Sequence, residues 1–127
     1  MINESLVKAI PEEVLEDIIF SVVQNIQNDI NKSRQELKTI PRSMMPEAYG
    51  IKRAYINQLI DVVIKLYDRH SDPVECFMKV DDYISFEKQV AEVGSGTHKA
   101  LVQADALING MLYVKFLQCT GNKQEVV

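Results

Sequence analysis

From Pro11 to Ile40 the chain reads PEEVLEDIIFSVVQNIQNDINKSRQELKTI. Within it Ile19, Val23, Ile26, Ile30, Ser33, Leu37 and Ile40 recur at alternating steps of four and three. That spacing sets one residue per turn on a single side of a helix, the seam of a coiled coil or bundle. Pro11 fits a first helical position, where its missing N–H costs nothing, and Pro41 stops the run. Glu12, Glu13, Glu16 and Asp17 load the start with negative charge, and Lys32, Arg34 and Lys38 load the end with positive charge. Both placements oppose the helix dipole favourably. The pattern predicts one rod over about residues 11–40, roughly 45 Å long at 1.5 Å per residue. Propensity alone does not hold so long a helix, so its apolar edge needs a partner surface.

The rest of the chain keeps the helical period. Asn3 is placed to cap a short helix over residues 4–10. The connector PRSMMPEAYG, residues 41–50, leads into a third helix, opened by Pro46 or delayed to Ile51, that runs to about residue 68. Two apolar rows lie side by side on it, Tyr55, Leu59, Val62, Leu66 and Ile56, Ile60, Val63, Tyr67, which marks a central helix touched from more than one side. Its polar stripe is narrow: Asn57, Gln58, Asp61, Lys65 and Asp68. A turn over Arg69, His70 and Ser71 precedes Asp72 and Pro73, a cap and first position that restart a helix. The apolar phase then slips from Val74, Phe77 and Met78 to Tyr83, Phe86, Val90 and Val93, predicting a break or kink at Asp81 and Asp82. Gly94, Ser95 and Gly96 separate a last helix, capped by Thr97, that runs from His98 to about Cys119, with Gly121 as its C-terminal cap. Its apolar set is broad, and Ala100, Ala104, Ala106 and Gly110 are small enough to admit another backbone. No strand alternation and no internal repeat appears. The expected architecture is all-α, a bundle of four to five helices with one long N-terminal helix, forming a single domain over residues 1–121 with a frayed tail over 122–127.

At 127 residues, 46% apolar and 25% charged, the chain has the makings of an ordinary globular domain with its own core. No uninterrupted apolar run approaches the roughly 20 residues that cross a bilayer, so no membrane partner is expected. The start, MINESLVKAIPEEV, has no basic segment ahead of an apolar one, which predicts no secretory signal and a cytoplasmic setting. Cys76 and Cys119 lie outside any CxxC or Cys/His cluster, on apolar helix faces, and read as buried reduced thiols rather than a zinc site or a disulfide. The net charge of −4 is uneven: residues 1–31 carry −5, residues 32–69 carry +4 and residues 70–127 carry −3. The acidic total argues against a general nucleic-acid coat but leaves room for a local basic face.

Few features carry chemistry. Gly94 to Lys99, GSGTHK, has the look of half a phosphate loop, but its spacing is wrong and a helix, not a strand, precedes it, so it reads as a linker with a threonine cap. His70 and His98 have no thiolate or carboxylate neighbour at ligand spacing, and no catalytic set, metal or cofactor is expected. Asp105 shares a row with Leu101, Ile108 and Leu112, so it borders the core and needs a partner such as Arg69, Lys99 or a backbone N–H.

Two candidate surfaces remain. The seam Ile19, Val23, Ile26, Ile30 and Leu37 repeats for longer than one neighbour in a small bundle needs, and predicts self-association, most simply as a dimer. The corner of Lys32, Arg34, Lys38, Arg42, Lys52 and Arg53, with Met44 and Met45 in the connector, is a place for an acidic protein or for nucleic-acid phosphates. Dipole compensation and solubility would account for the same cations, and the methionines would equally fold back on the bundle end. The function expected is a non-enzymatic protein–protein interaction module: an inhibitor, adaptor or assembly subunit of a larger bacterial or phage complex. The alternative is a small nucleic-acid-binding subunit that uses the Lys32–Arg53 corner.

Overall fold

The computed structural model describes residues 2–67 and 72–125, with side chains as far as Thr120. Its described residues form five helices and no strand: α1 (Glu4–Lys8), α2 (Glu12–Lys38), α3 (Pro46–Tyr67), α4 (Pro73–Val90) and α5 (Gly96–Glu125). The expected turn at Arg69, His70 and Ser71 lies outside the described residues, as does Asp68.

Local chemistry sets most of the boundaries. The Asn3 side chain accepts the N–H groups of Ser5 and Leu6, closing the start of α1. Asp72 accepts the Glu75 N–H at 2.8 Å, and Pro73 occupies the first turn of α4. Pro11 sits just outside α2 as its cap residue, and Thr39 ends that helix. Pro46 opens α3, so Gly50 does not delay it.

Several features differ from expectation: α1 ends at Lys8 rather than at residue 10, and Pro11 caps α2 rather than opening it. α5 begins at Gly96, and Ser95 rather than Thr97 caps it, accepting the His98 N–H on its hydroxyl at 3.1 Å. The helical backbone continues through Gly121 to Glu125, so α5 does not stop at Gly121 but runs about one turn further. α4 runs unbroken through Asp81 and Asp82. Asp81 is 2% exposed and accepts the backbone N–H of Ile2 at 3.1 Å, so a polar residue inside the apolar phase is matched from another part of the chain. The second apolar row of α4 is therefore not a core row: Ile84 is buried, whereas Phe86, Val90 and Val93 stand in solvent, Val93 at 83%.

The core joins Val7 of α1, Leu15, Ile18 and Val22 of α2, Leu59, Val62 and Leu66 of α3, Phe77, Val80 and Ile84 of α4, and Leu101, Ile108 and Leu112 of α5. α3 is central, as its two rows predict, and packs most closely with α5. Gly96 makes that approach possible. A Cβ there would collide with the carbonyl oxygen of Ile51 and come within 2.8 Å of the Tyr55 nitrogen. The glycine pair thus serves a turn, at Gly94 with φ +88°, and a helix contact, at Gly96. Gln58, expected on the polar stripe of α3, is buried and donates to the Tyr83 hydroxyl at 2.9 Å.

Candidate interaction surface

The seam of α2 faces inward. Ile19, Val23, Ile26 and Ile30 are buried in the chain's own core and Leu37 packs against its edge. This corrects the expectation that the seam presents a surface to a second copy. Leu15, Ile18 and Val22 are buried beside it, so the apolar stripe is wider than a coiled-coil line and is covered by α3 and α5. Ser33, the polar member of the seam, donates its hydroxyl to Asp29 at 3.2 Å.

The basic corner divides. Residues two apart on a helix point to nearly opposite sides. Lys32 accordingly lines a groove between α2 and α5, and Arg34 lines another between α2 and α3 with Ile60, Ile64 and Tyr67. Lys52 is held 3.6 Å from Glu36 and lies 5.8 Å over the Tyr55 ring. Arg42 lies 5.5 Å over the Tyr49 ring. Lys38 and Arg53 are exposed. Met44 and Met45 do not fold back: Met44 is 80% exposed and Met45 is also mostly in solvent.

The candidate acids and thiols have ordinary structural settings. Asp105 is half-buried, with Lys88 Nζ at 3.2 Å and the Asn109 amide donating at 2.8 Å, so its partner comes from α4 rather than from Lys99. Arg69 is outside the described residues. Neither cysteine forms a disulfide among the described residues: Cys76 is buried, its thiol donating to the Leu66 carbonyl at 3.6 Å, and Cys119 is half-buried. Among the described residues no group of histidine, cysteine and carboxylate side chains gathers in a way that would hold a metal ion.

The groove between α2 and α5 is the surface that sequence reasoning missed. α5 runs antiparallel to α2: Ile18 lies near Gly110 and Val114, and Asn25 and Lys32 lie near Gln103. The contact is looser than that between α3 and α5, and it leaves two adjoining openings that share Leu107. The first, of about 540 Å³, has an apolar floor of Ile18, Leu107, Met111 and Val114 with Asp17 and Lys115 at its margin. The second, of about 480 Å³, is mixed: Asn25, Asn28, Asp29, Lys32, Tyr55 and Gln103 stand around apolar Ile26, Leu59, Ala104 and Leu107. In it the Tyr55 hydroxyl donates to Asp29 at 2.6 Å. Burial, that hydrogen bond and the negative charges of Asp29 and Glu36 push the Tyr55 hydroxyl well above its ordinary range, so it stays a neutral donor.

The outer side of α5 borders this groove and is apolar as well. Tyr113 is 56% exposed and Val114 51%, and Val102 and Leu117 are also exposed. The four small residues of the helix split by face: Ala100 and Ala104 are buried, whereas Ala106 and Gly110 look outward. A Cβ at Gly110 would meet nothing. By length and composition α5 is apolar enough over Gly96–Thr120 to cross a bilayer, although polar residues interrupt its apolar sequence. Its inner stripe of Ala100, Leu101, Ala104, Ile108 and Leu112 is buried in the bundle. No protein-family model, no curated protein and no solved structure matches the chain.

Proposed function

We propose that this chain is a non-enzymatic helical interaction module, an inhibitor, adaptor or assembly subunit that acts by docking on protein. The observation that supports the reading most is the outer side of α5. A surface helix ordinarily turns one apolar stripe inward and a polar face outward. α5 instead turns Val102, Tyr113, Val114 and Leu117 to solvent beside an apolar-floored groove. Contiguous apolar surface of this kind marks contact sites. Burying one such side chain fully is worth roughly 1.5–3 kcal/mol, of which association costs leave a part. The groove from Asp17 to Lys32 is about 22 Å long at 1.5 Å per residue, a length that suits a partner helix of about 15 residues. A phosphate-binding role through the Lys32–Arg53 corner draws less support, because its cations divide between two grooves and Lys52 is held by Glu36.

Gel filtration of a host lysate tests the reading. The chain is expected to elute above the position of a 14.5 kDa monomer. Tyr113→Glu combined with Leu117→Glu is expected to return it to that position with unchanged helix content. Elution as a monomer before and after substitution would contradict the reading.

A further inference from the structure

We propose that the outer face of α5 receives the same face of a second copy, antiparallel and related by a two-fold axis. The inference rests on the docking role given to this face and names its occupant.

Val102, Ala106, Gly110, Tyr113 and Leu117 follow one another at steps of four, four, three and four. On a helix they make one line about 22 Å long. All five look away from the buried stripe that closes on the bundle. The line is apolar and narrows at its middle, where Ala106 and Gly110 carry little or no side chain. A self-complementary surface needs its centre to face its own copy, and a two-fold axis near Gly110 sets that glycine against its counterpart and the small Ala106 against the large Tyr113. The large residues at the two ends then meet across the pair, Val102 of one copy beside Leu117 of its partner.

Charge selects both the occupant and its direction. α2 lies antiparallel beside α5. Its acidic start, with Glu13, Glu16 and Asp17, stands at the end where α5 finishes. Its basic end, with Lys32, stands where α5 begins with the exposed Lys99. Beside the end of α5, Glu13, Glu16 and Asp17 outweigh Lys115, and beside its start Lys32 and Lys99 outweigh Asp29, so the chain is bipolar along this face. Parallel pairing superposes like ends. Antiparallel pairing sets the acidic end of each copy against the basic end of the other, which favours encounter and fixes direction. A bilayer fits this face less well. Asp17, Asn25, Asn28 and Lys32 flank it, and lowering α5 into hydrocarbon would take charged and amide groups with it.

Light scattering on the purified full chain at about 50 µM, in the range where ordinary dimers assemble, is expected to give twice the 14.5 kDa chain mass. Tyr113→Glu with Leu117→Glu is expected to halve the mass and leave the melting temperature in place. In a Cys119→Ser background, Gly110→Cys is expected to form a cross-linked dimer on oxidation with copper phenanthroline. Val102→Cys alone is expected to stay uncross-linked but to join to Leu117→Cys when the two variants are mixed. A monomeric wild-type chain would overturn the proposal. Efficient Val102→Cys self-cross-linking would overturn the antiparallel pairing. Monomers sedimenting with phosphatidylcholine–phosphatidylglycerol vesicles would assign the face to a bilayer instead. A purified monomer whose lysate species is nonetheless large would discard the second copy while keeping the docking role of the face.

Discussion

Tyr55 donates its phenolic proton to Asp29 at 2.6 Å, tying the middle of α2 to the first half of α3 on the floor of the groove that α5 completes. Asp29 also accepts the Ser33 hydroxyl at 3.2 Å, so one carboxylate holds two donors from two helices. Such a hydrogen bond to a charged group contributes about 1.5–3 kcal/mol when buried. Tyr55 is half-buried, and its share falls toward the lower end of that range.

The Tyr55 proton gives stability an alkaline limb. Burial and the Asp29 carboxylate raise the Tyr55 hydroxyl above its ordinary value of 10, so the native chain holds this proton more tightly than the unfolded chain does. Where the native state binds more protons, stability falls as pH rises. The contribution is therefore complete below pH 10 and is lost progressively above it. Tyr83 adds to the same limb, raised chiefly by burial and by Asp61 and Glu87. Urea midpoints measured from about pH 9 to about pH 11 are expected to decline in the wild-type chain and to decline less in Tyr55→Phe. Equal slopes would show that the hydroxyl does not differ between the two states. At neutral pH the same variant is expected to lose about 1.5 kcal/mol.

The Asp81 carboxylate is expected to be among the least replaceable polar groups in the fold. It is buried and holds the Ile2 N–H, seventy-nine positions away in the chain. Asp81→Ala leaves that N–H without its acceptor and is expected to cost about 1–3 kcal/mol. Asp81→Asn keeps an acceptor oxygen and is expected to recover most of the loss. Denaturant melts of the three chains decide the matter, and an Ala variant as stable as wild type would show that the contact contributes nothing.

Glycine substitutions at two sites in α5 are expected to have opposite signs. Gly96→Ala drives a methyl group into the Ile51 carbonyl and is expected to destabilise by about 1–3 kcal/mol. Gly110→Ala adds its methyl to open space inside a helix and is expected to stabilise the isolated bundle by about 0.5–1 kcal/mol. Thermal melts at low protein concentration keep association out of the comparison. Loss of stability at Gly110 would mean that the helix is not free on that side.

Much of this architecture could be read from local chemistry. Asn3, Asp72 with Pro73, and Pro41 act within a few residues of themselves, and each marks a boundary where expected. The long α2 was equally plain from its spacing. What its spacing could not disclose was who covers the seam, because a four–three line looks the same whether α3 and α5 or a second chain lies against it. α4 failed for a similar reason. Asp81 breaks the apolar phase only if its partner is ignored, and that partner, the Ile2 amide, is remote in sequence. Phe86, Val90 and Val93, which read as a new apolar row after a break, stand in solvent on the unbroken helix and just beyond it. In α5 the breadth of the apolar set and the four small residues were visible. That Ala100 and Ala104 go to the bundle while Ala106 and Gly110 go to solvent depends on how α5 is rotated against α3, which it approaches closely at Gly96. The groove beside α2 follows from that rotation and has no separate sequence signal.

The docking role of α5 is tested most directly by placing a photo-cross-linking benzophenone side chain at position 113 and irradiating living cells. An aromatic group already stands there, more than half exposed. The same group at Gln24, an exposed position on α2 outside either groove with α5, serves as the comparison. Discrete protein adducts at 113 that are missing at 24 are the predicted result. Adducts of equal pattern and yield at both positions, or none at either, would contradict the account.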